Sequence, residues 1–349
     1  MSGSCVKGVI TMNKRIAING FGRIGRSVLR VLLEERSDLE VVAINDLSGG
    51  DVLAQLFNFD SVYGRAPQTA RVERGADGEE LVVGEKRIRL FAQPDPAQLP
   101  WGELQVGTVL EATGRFTKAD EARAHLDAGA DRVLVSAPSS GADATVVKGV
   151  NWGSYDPASH RIVSTASCTT NALAPLAKVL HDLAGIEQGF VSTVHAYTQD
   201  QNLVDGPHRD LRRARAAALN IVPTSTGAAK AIGLVLPELE GKLAGDALRV
   251  PVPVGSIVEL TALVGREVTV KQVLAAYREA AAGELAGVLV YSEAPLVSSD
   301  IVGDPASSVF DSGLARVMGR QVKVSAWYDN EWGFSHRAAE TLALLAEEK

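Results

Sequence analysis

Arg15-Ile16-Ala17-Ile18-Asn19-Gly20-Phe21-Gly22-Arg23-Ile24-Gly25-Arg26 is the stretch that decides the fold. A short apolar run of strand character leads into three glycines spaced G-x-G-x-x-G. Val28, Leu29, Leu32 and Leu33 then recur at helical spacing, and Glu40 to Ile44 is a second β-branched run ending in Asn45-Asp46. Strand, glycine turn, helix, strand and acid in this order form the setting in which backbone approaches a pyrophosphate and rests it on a helix N-terminus. Asp46 stands 21 residues beyond Gly25, where a carboxylate accepts hydrogen bonds from ribose hydroxyls. The same carboxylate repels a 2′-phosphate, so NAD is expected rather than NADP. The competing reading is a glycine-rich turn that only packs helix on strand.

The chain beyond this stretch keeps the same rhythm. Asp51 to Phe59 reads as a helix, and residues 69–92 alternate around Gly75, Gly78 and Gly84 as a small antiparallel excursion. Val106 to Ala112 is a buried strand leading to Thr113, Lys118 to Ala128 an amphipathic helix stopped by Gly129, and Arg132 to Val135 a strand leading to Ser136. Strands alternating with helices imply a parallel sheet, whose strand-end loops near Thr113 and Ser136 should border the cofactor. After Cys168 the texture changes. Gly189 to Tyr197 alternates like a strand, 199–220 is arginine-rich, Leu248 to Val264 is strand-like, Val270 to Ala282 helical, Val322 to Tyr328 a strand and Gly333 to Glu347 a last helix. Long alternating strands without helices between them suggest antiparallel pairing. The expected fold is therefore an α/β Rossmann domain with a mostly parallel sheet, joined to an α+β catalytic domain with a mainly antiparallel sheet.

With 349 residues the chain is long enough for two domains, and a formal charge of -7 argues against nucleic acid as a main partner. Two cysteines cannot form a disulfide framework and have no metal-site spacing, so no metal is expected and a reducing, cytoplasmic setting is. Residues 1–12 lack the apolar core of a signal peptide and read as a flexible extension, which leaves Cys5 outside the fold. No apolar run reaches the ~18 residues of a membrane span.

Ser164-Thr165-Ala166-Ser167-Cys168-Thr169-Thr170-Asn171 is the second decisive stretch. Leu173, Leu176, Leu180 and Leu183 follow at helical spacing, so Cys168 falls at a helix start, where open N–H groups and the dipole favour a thiolate. A small buried hydrophobe is the alternative. A cysteine beside a dinucleotide suggests aldehyde oxidation: the thiolate adds to the aldehyde, hydride leaves to the nicotinamide, and a thioester remains. A base is needed within reach of the thiol. Of six histidines, His195 on an apolar strand is the best candidate, whereas His125 and His181, on helices among polar neighbours, are expected at the surface. Thr169, Thr198, Ser225-Thr226-Gly227 and Arg249 are residue types that bind phosphate oxygens.

From Arg15 to the last helix the sequence resembles the phosphorylating glyceraldehyde-3-phosphate dehydrogenases. The likeness rests on Ile18 to Arg26 (INGFGRIGR), Ser167 to Asn171 (SCTTN), His195 to Thr198 (HAYT), Ser225 to Lys230 (STGAAK) and Trp327 to Gly333 (WYDNEWG), in that order. The resemblance implies that Cys168 is the nucleophile and His195 its base. Gly20, Gly22, Arg23, Ile24 and Gly25 would form the pyrophosphate turn, Asp46 would hold the adenosine ribose, Thr113 and Ser136 would lie along the NAD, and Asn330 would orient the nicotinamide carboxamide. Thr198 and Arg249 would take the C3 phosphate of glyceraldehyde 3-phosphate. Ser167, Thr169, Thr226 and Gly227, with Arg213 nearby, would take inorganic phosphate. Residues 13–167 with 333–349 would form the NAD-binding domain and 168–332 the catalytic and tetramerisation domain of a homotetramer, with 199–220 the loop at its core. Pro94, Ala172, Gly255 and Phe334 depart from frequent family residues without removing a catalytic part. An erythrose-4-phosphate dehydrogenase is the nearest rival reading, and a non-catalytic NAD-binding regulator or adhesin a remote one.

Overall fold

The computed structural model describes residues 13–36 and 38–347. The expectations for the 1–12 extension and Cys5 lie outside the described residues. Two sheets dominate. The first is built from β1 (Arg15–Asn19), β2 (Glu40–Asn45), β3 (Ala70–Gly75), β4 (Gly78–Val83), β5 (Lys86–Phe91), β6 (Thr108–Glu111), β7 (Arg132–Val135), β8 (Ala144–Thr145) and β9 (Ile162–Ser164). Their order across the sheet is β8-β9-β7-β6-β1-β2-β5-β4-β3. All neighbours are parallel except β3–β4 and β4–β5, so the excursion at 69–92 is the antiparallel edge. Helix α1 (Arg23–Glu35) carries its apolar stripe, Val28, Leu29, Val31 and Leu32, onto Ile16, Ile18 and Ile44. Helix α2 (Gly50–Asn58) adds Leu53, Ala54 and Phe57 to the same core.

The second sheet holds β10 (Ile186–Ala196), β11 (Val222–Ser225), β12 (Leu243–Val250), β13 (Ser256–Val264), β14 (Leu289–Ser292), β15 (Ser308–Asp311), β16 (Arg316–Met318) and β17 (Gln321–Tyr328). Its order is β11-β12-β10-β13-β17-β15-β14, with β16 paired to β17. Only β10–β12 and β14–β15 run parallel. Helix α3 (Cys168–Ala184) is almost wholly buried against this sheet. Alongside it lie α4 (Ala228–Val235) and α5 (Val270–Ala282), the latter started by a Thr269–Gln272 capping box. The last helix, α6 (Trp332–Ala346), returns to the first sheet: Ala338, Ala339, Leu342 and Leu345 share a core with Val28 and Leu29.

Two local expectations are corrected. Leu248 to Val264 is two strands, because Pro251 and Pro253 cannot donate to a ladder and the chain turns between β12 and β13. Lys118 to Ala128 is two four-residue helical turns, Ala119–Ala122 and Ala124–Asp127, interrupted at Arg123.

Candidate active site

A cleft of about 770 Å³ opens at the C-terminal ends of the first sheet's strands. Strands β1, β2, β6 and β7 deliver Gly20, Asp46, Thr113 and Ser136 to its wall. This is the crevice where open α/β sheets bind ligands. Helix α1 begins there with Gly22 as N-cap and no side-chain cap, so the N–H groups of its first turn are free to meet an anion. A Cβ at Gly22 would meet nothing within 4 Å. A Cβ at Gly25 would stand 2.1 Å from the Gly20 carbonyl oxygen. Gly22 thus leaves room for a ligand, while Gly25 lets helix lie on strand. Arg23 lines the cleft, but its guanidinium is engaged by Asp60 and Glu331, with Nε 3.0 Å from Glu331, so only its backbone is free for phosphate. Asp46 is pinned by the N–H groups of Phe21 and Ser48, both at 2.9 Å, which aims its carboxylate across the end of β2. Open helix N–H groups, a vacant Cβ position and a fixed acid on one wall fit the pyrophosphate and ribose of a dinucleotide.

Below that wall lies a buried polar network that the sequence did not disclose. Glu111, at the end of β6, accepts from Asn19 Nδ2 at 2.6 Å, His125 Nε2 at 3.0 Å, and the N–H (2.8 Å) and hydroxyl of Thr113. Trp101 Nε1 donates to His125 Nδ1 at 3.0 Å. His125 is therefore fully buried, which corrects the surface expectation. Its polar neighbours in sequence hid it, because the partners come from residues 14 and 24 positions away. Asn19 in turn accepts from Asn45 at 2.7 Å. The network fixes the ends of three adjacent strands beneath the cleft.

Cys168 and His195 meet on the same wall. Cys168 is the first residue of α3, with the Ser167 hydroxyl accepting from the Thr170 N–H at 3.0 Å as N-cap. His195 lies near the end of β10, 3% exposed, with Nε2 at 3.4 Å from the Cys168 Sγ. Its Nδ1 is 2.7 Å from the Ala196 carbonyl oxygen, which can only accept. Nδ1 therefore carries the hydrogen and Nε2 presents a lone pair to the thiol. Burial, and then the positive charge of Arg249, push the His195 pKa down to about 3. The helix start was expected to favour a thiolate, but burial outweighs it and pushes the Cys168 thiol up, with Arg249 and the Thr169 contacts pulling the other way. Both shifts favour the neutral forms, and Nε2 already faces Sγ at 3.4 Å.

Beside this pair Arg249 donates from Nη1 to Thr198 Oγ1 at 3.0 Å, and its buried Nε has no partner. Thr198 and Ser167 line the cleft, as do Ile24 and Asn330. Arg249 stands behind Thr198 rather than on the wall, and the remaining expected anion residues are not on it either. The Thr169 hydroxyl is turned inward to Tyr328 at 2.9 Å, the Arg213 guanidinium is bound to Asp200 and to Thr224 (3.0 Å), and Thr226 accepts from the Ala228 N–H at 3.2 Å at the start of α4, beside exposed Gly227. Asn19, Asn45, Gln93, Asp200, Glu331 and Phe334 line the cleft without having been singled out as ligand-facing. Asn45 and Glu331 flank Asp46 and Asn330, and that adjacency was the available signal.

Two family models match this chain: the glyceraldehyde 3-phosphate dehydrogenase NAD binding domain over residues 14–119, and the same family's C-terminal domain over 167–330. A glyceraldehyde-3-phosphate dehydrogenase of Kitasatospora aureofaciens is 69% identical over 332 residues, which is 95% of this chain and 99% of that one. The chain belongs to the glyceraldehyde 3-phosphate dehydrogenase family. Glyceraldehyde-3-phosphate dehydrogenase 1 of Streptomyces avermitilis is 58% identical over 334 residues (96% and 98% of the two chains). The Mycobacterium avium glyceraldehyde-3-phosphate dehydrogenase is 56% identical over 342 residues (96% and 99%). Family membership makes NAD the cofactor of the cleft at β1, α1 and β2, and the Rossmann architecture of the first sheet accords with it.

Proposed function

We propose that the protein catalyses the reversible, NAD-dependent oxidation of D-glyceraldehyde 3-phosphate with inorganic phosphate to 1,3-bisphosphoglycerate. The observation that carries this reading is the 3.4 Å approach of Cys168 Sγ to His195 Nε2 on the wall of the dinucleotide cleft. Sγ adds to the aldehyde carbon as its proton passes to Nε2, and Nε2 hands that proton on to the carbonyl oxygen, giving a thiohemiacetal on Cys168 and a neutral His195 again. Bound NAD supplies a hydride acceptor at its nicotinamide. His195 receives the thiohemiacetal hydroxyl proton as the carbon loses hydride, leaving a thioester on Cys168. A phosphate oxygen then attacks that carbon, the C–S bond breaks, and Nε2 returns its proton to the departing sulfur, so that the acyl phosphate leaves a free thiol and a neutral imidazole.

Arg249 and Thr198 take the C3 phosphate, and the unpartnered Arg249 Nε supports that role. Inorganic phosphate falls to Ser167, the α3 N-terminal backbone at Thr169, and Thr226 with Gly227, with Arg213 close by; the resemblance supports this assignment. Asn330 orients the carboxamide. Residues 13–167 with 333–349 form the NAD-binding unit and 168–332 the catalytic unit, a division supported by the separate sheets. The homotetramer is supported by exposed apolar side chains between 199 and 221, and a reducing cytoplasm by the free thiol of Cys168.

Cys168→Ser should lower turnover about 10³-fold or more while NAD binding survives. A panel of aldehydes with and without phosphate, read by NADH absorbance, checks the substrate. Phosphate-independent oxidation of erythrose 4-phosphate at full rate would favour the rival dehydrogenase instead.

A further inference from the structure

Asn330 sits between β17 and α6 and is 5% exposed, on the cleft wall with Cys168 and His195. Its Oδ1 accepts from the Gly255 N–H at 3.2 Å and from the Ser256 hydroxyl at 3.0 Å. A backbone N–H can only donate, so the amide oxygen faces Gly255 and the NH₂ group is the half left for the cleft. Gly255 holds φ at +93°, and a Cβ there would stand 2.3 Å from the Ser298 carbonyl oxygen, so this N–H is presented where a side chain has no room.

Ser256 is the first residue of β13 and fully buried. Its oxygen also accepts the Ala196 N–H at 3.1 Å. With that donor on a lone pair, its single hydrogen goes to Asn330 Oδ1. Ala196 in turn accepts from the His195 imidazole through its carbonyl. One polar chain therefore runs from His195 through Ala196 and Ser256 to Asn330. It joins the proton acceptor for Cys168 to the amide that faces the cofactor.

We infer that Ser256 is a positioning residue. Its hydroxyl locks the Asn330 amide with NH₂ toward the cleft, so that the site selects pyridine dinucleotides whose ring substituent accepts a hydrogen bond. This rests on the proposed reading of Asn330 as the carboxamide-facing residue. A lock on one side only gives the site donors at that point, so a strong carbonyl acceptor is bound in preference to a weak one. Loss of the serine hydroxyl leaves Oδ1 held by the Gly255 N–H alone, at 3.2 Å, so the lock weakens and the turned amide becomes populated.

The test compares NAD, its acetylpyridine analogue, which keeps the carbonyl, and its thionicotinamide analogue, whose sulfur accepts poorly. In the unmodified enzyme the acetylpyridine analogue should bind within a few-fold of NAD and the thio analogue about fivefold to tenfold more weakly. Ser256→Ala should raise the KM for NAD by about fivefold and bring the thio-to-NAD ratio toward one. A serine that only supports the fold would lower the melting temperature and leave that ratio alone, which overturns the inference. Asn330→Ala separates the two readings. If it too preserves the ratio, the role of Asn330 fails; if it collapses the ratio and Ser256→Ala does not, only the role of Ser256 fails. Should Ser256→Ala not fold, Ser256→Cys keeps the volume with a weaker donor, and the same ratio decides.

Discussion

His195 is buried as a neutral imidazole, and this couples stability to pH. Its pKa is about 3 in the folded chain and ordinary, near 6.5, when unfolded. Above pH ~6.5 neither state holds the proton and the native state loses nothing. Below it the unfolded chain binds a proton that the folded one refuses, so about 1.4 kcal/mol is lost per pH unit until the folded pKa is reached. His195→Asn should therefore flatten the fall in unfolding free energy below pH ~6.5, measured by denaturant titration, and lower turnover about 10²- to 10⁴-fold. Arg249 acts on the thiol with the opposite sign. Its charge stabilises the thiolate against burial, so Arg249→Ala should move the pH profile of Cys168 alkylation to higher pH and slow the reaction at neutral pH. The two side chains that meet at 3.4 Å, Cys168 and His195, were both singled out in the sequence, one from its place ahead of a helical stripe and the other from its apolar strand. The burial of His125 was not, because Trp101 and Glu111 reach it from other elements.

At the scale of elements, the glycine turn separates two functions. Gly25→Ala would force a methyl against the Gly20 carbonyl and should destabilise the fold by about 1–3 kcal/mol, seen as a lower melting temperature. Gly22→Ala has open space and an ordinary φ of -73°, so the melting temperature should hold while the KM for NAD rises. Regular repeats of strand and helix made β1, α1, β2, β6 and β7 readable from period alone. The break between β12 and β13 was missed although Pro251 and Pro253 announce it, because the apolar residues continue through the turn. The interruption of the 118–128 helix at Arg123 has no comparable signal in the sequence.

The whole molecule leaves a stretch of apolar surface that a lone chain has no reason to expose. Leu203, Leu211 and Leu219 are 78%, 82% and 82% exposed, with Val204 and Ile221 nearby. In the proposed homotetramer these side chains are buried, so the unmodified protein should have a tetramer's mass by light scattering and Leu211→Asp with Leu219→Asp should lower it. The pairing of a parallel and a mainly antiparallel sheet was legible from the change of texture after Cys168. The contacts that tie the sheets together, such as Arg23 with Glu331 and Tyr63 with Asp329 at 2.9 Å, were not, since their partners lie more than 260 residues apart. In the proposed reaction Cys168 stores the oxidised substrate until phosphate arrives. Rapid mixing of enzyme, NAD and glyceraldehyde 3-phosphate without phosphate tests this directly. A burst of NADH equal to the number of Cys168 thiols, followed by steady turnover only when phosphate is added, is the expected result. Sustained full-rate turnover without phosphate, or an undiminished burst from Cys168→Ser, would contradict it.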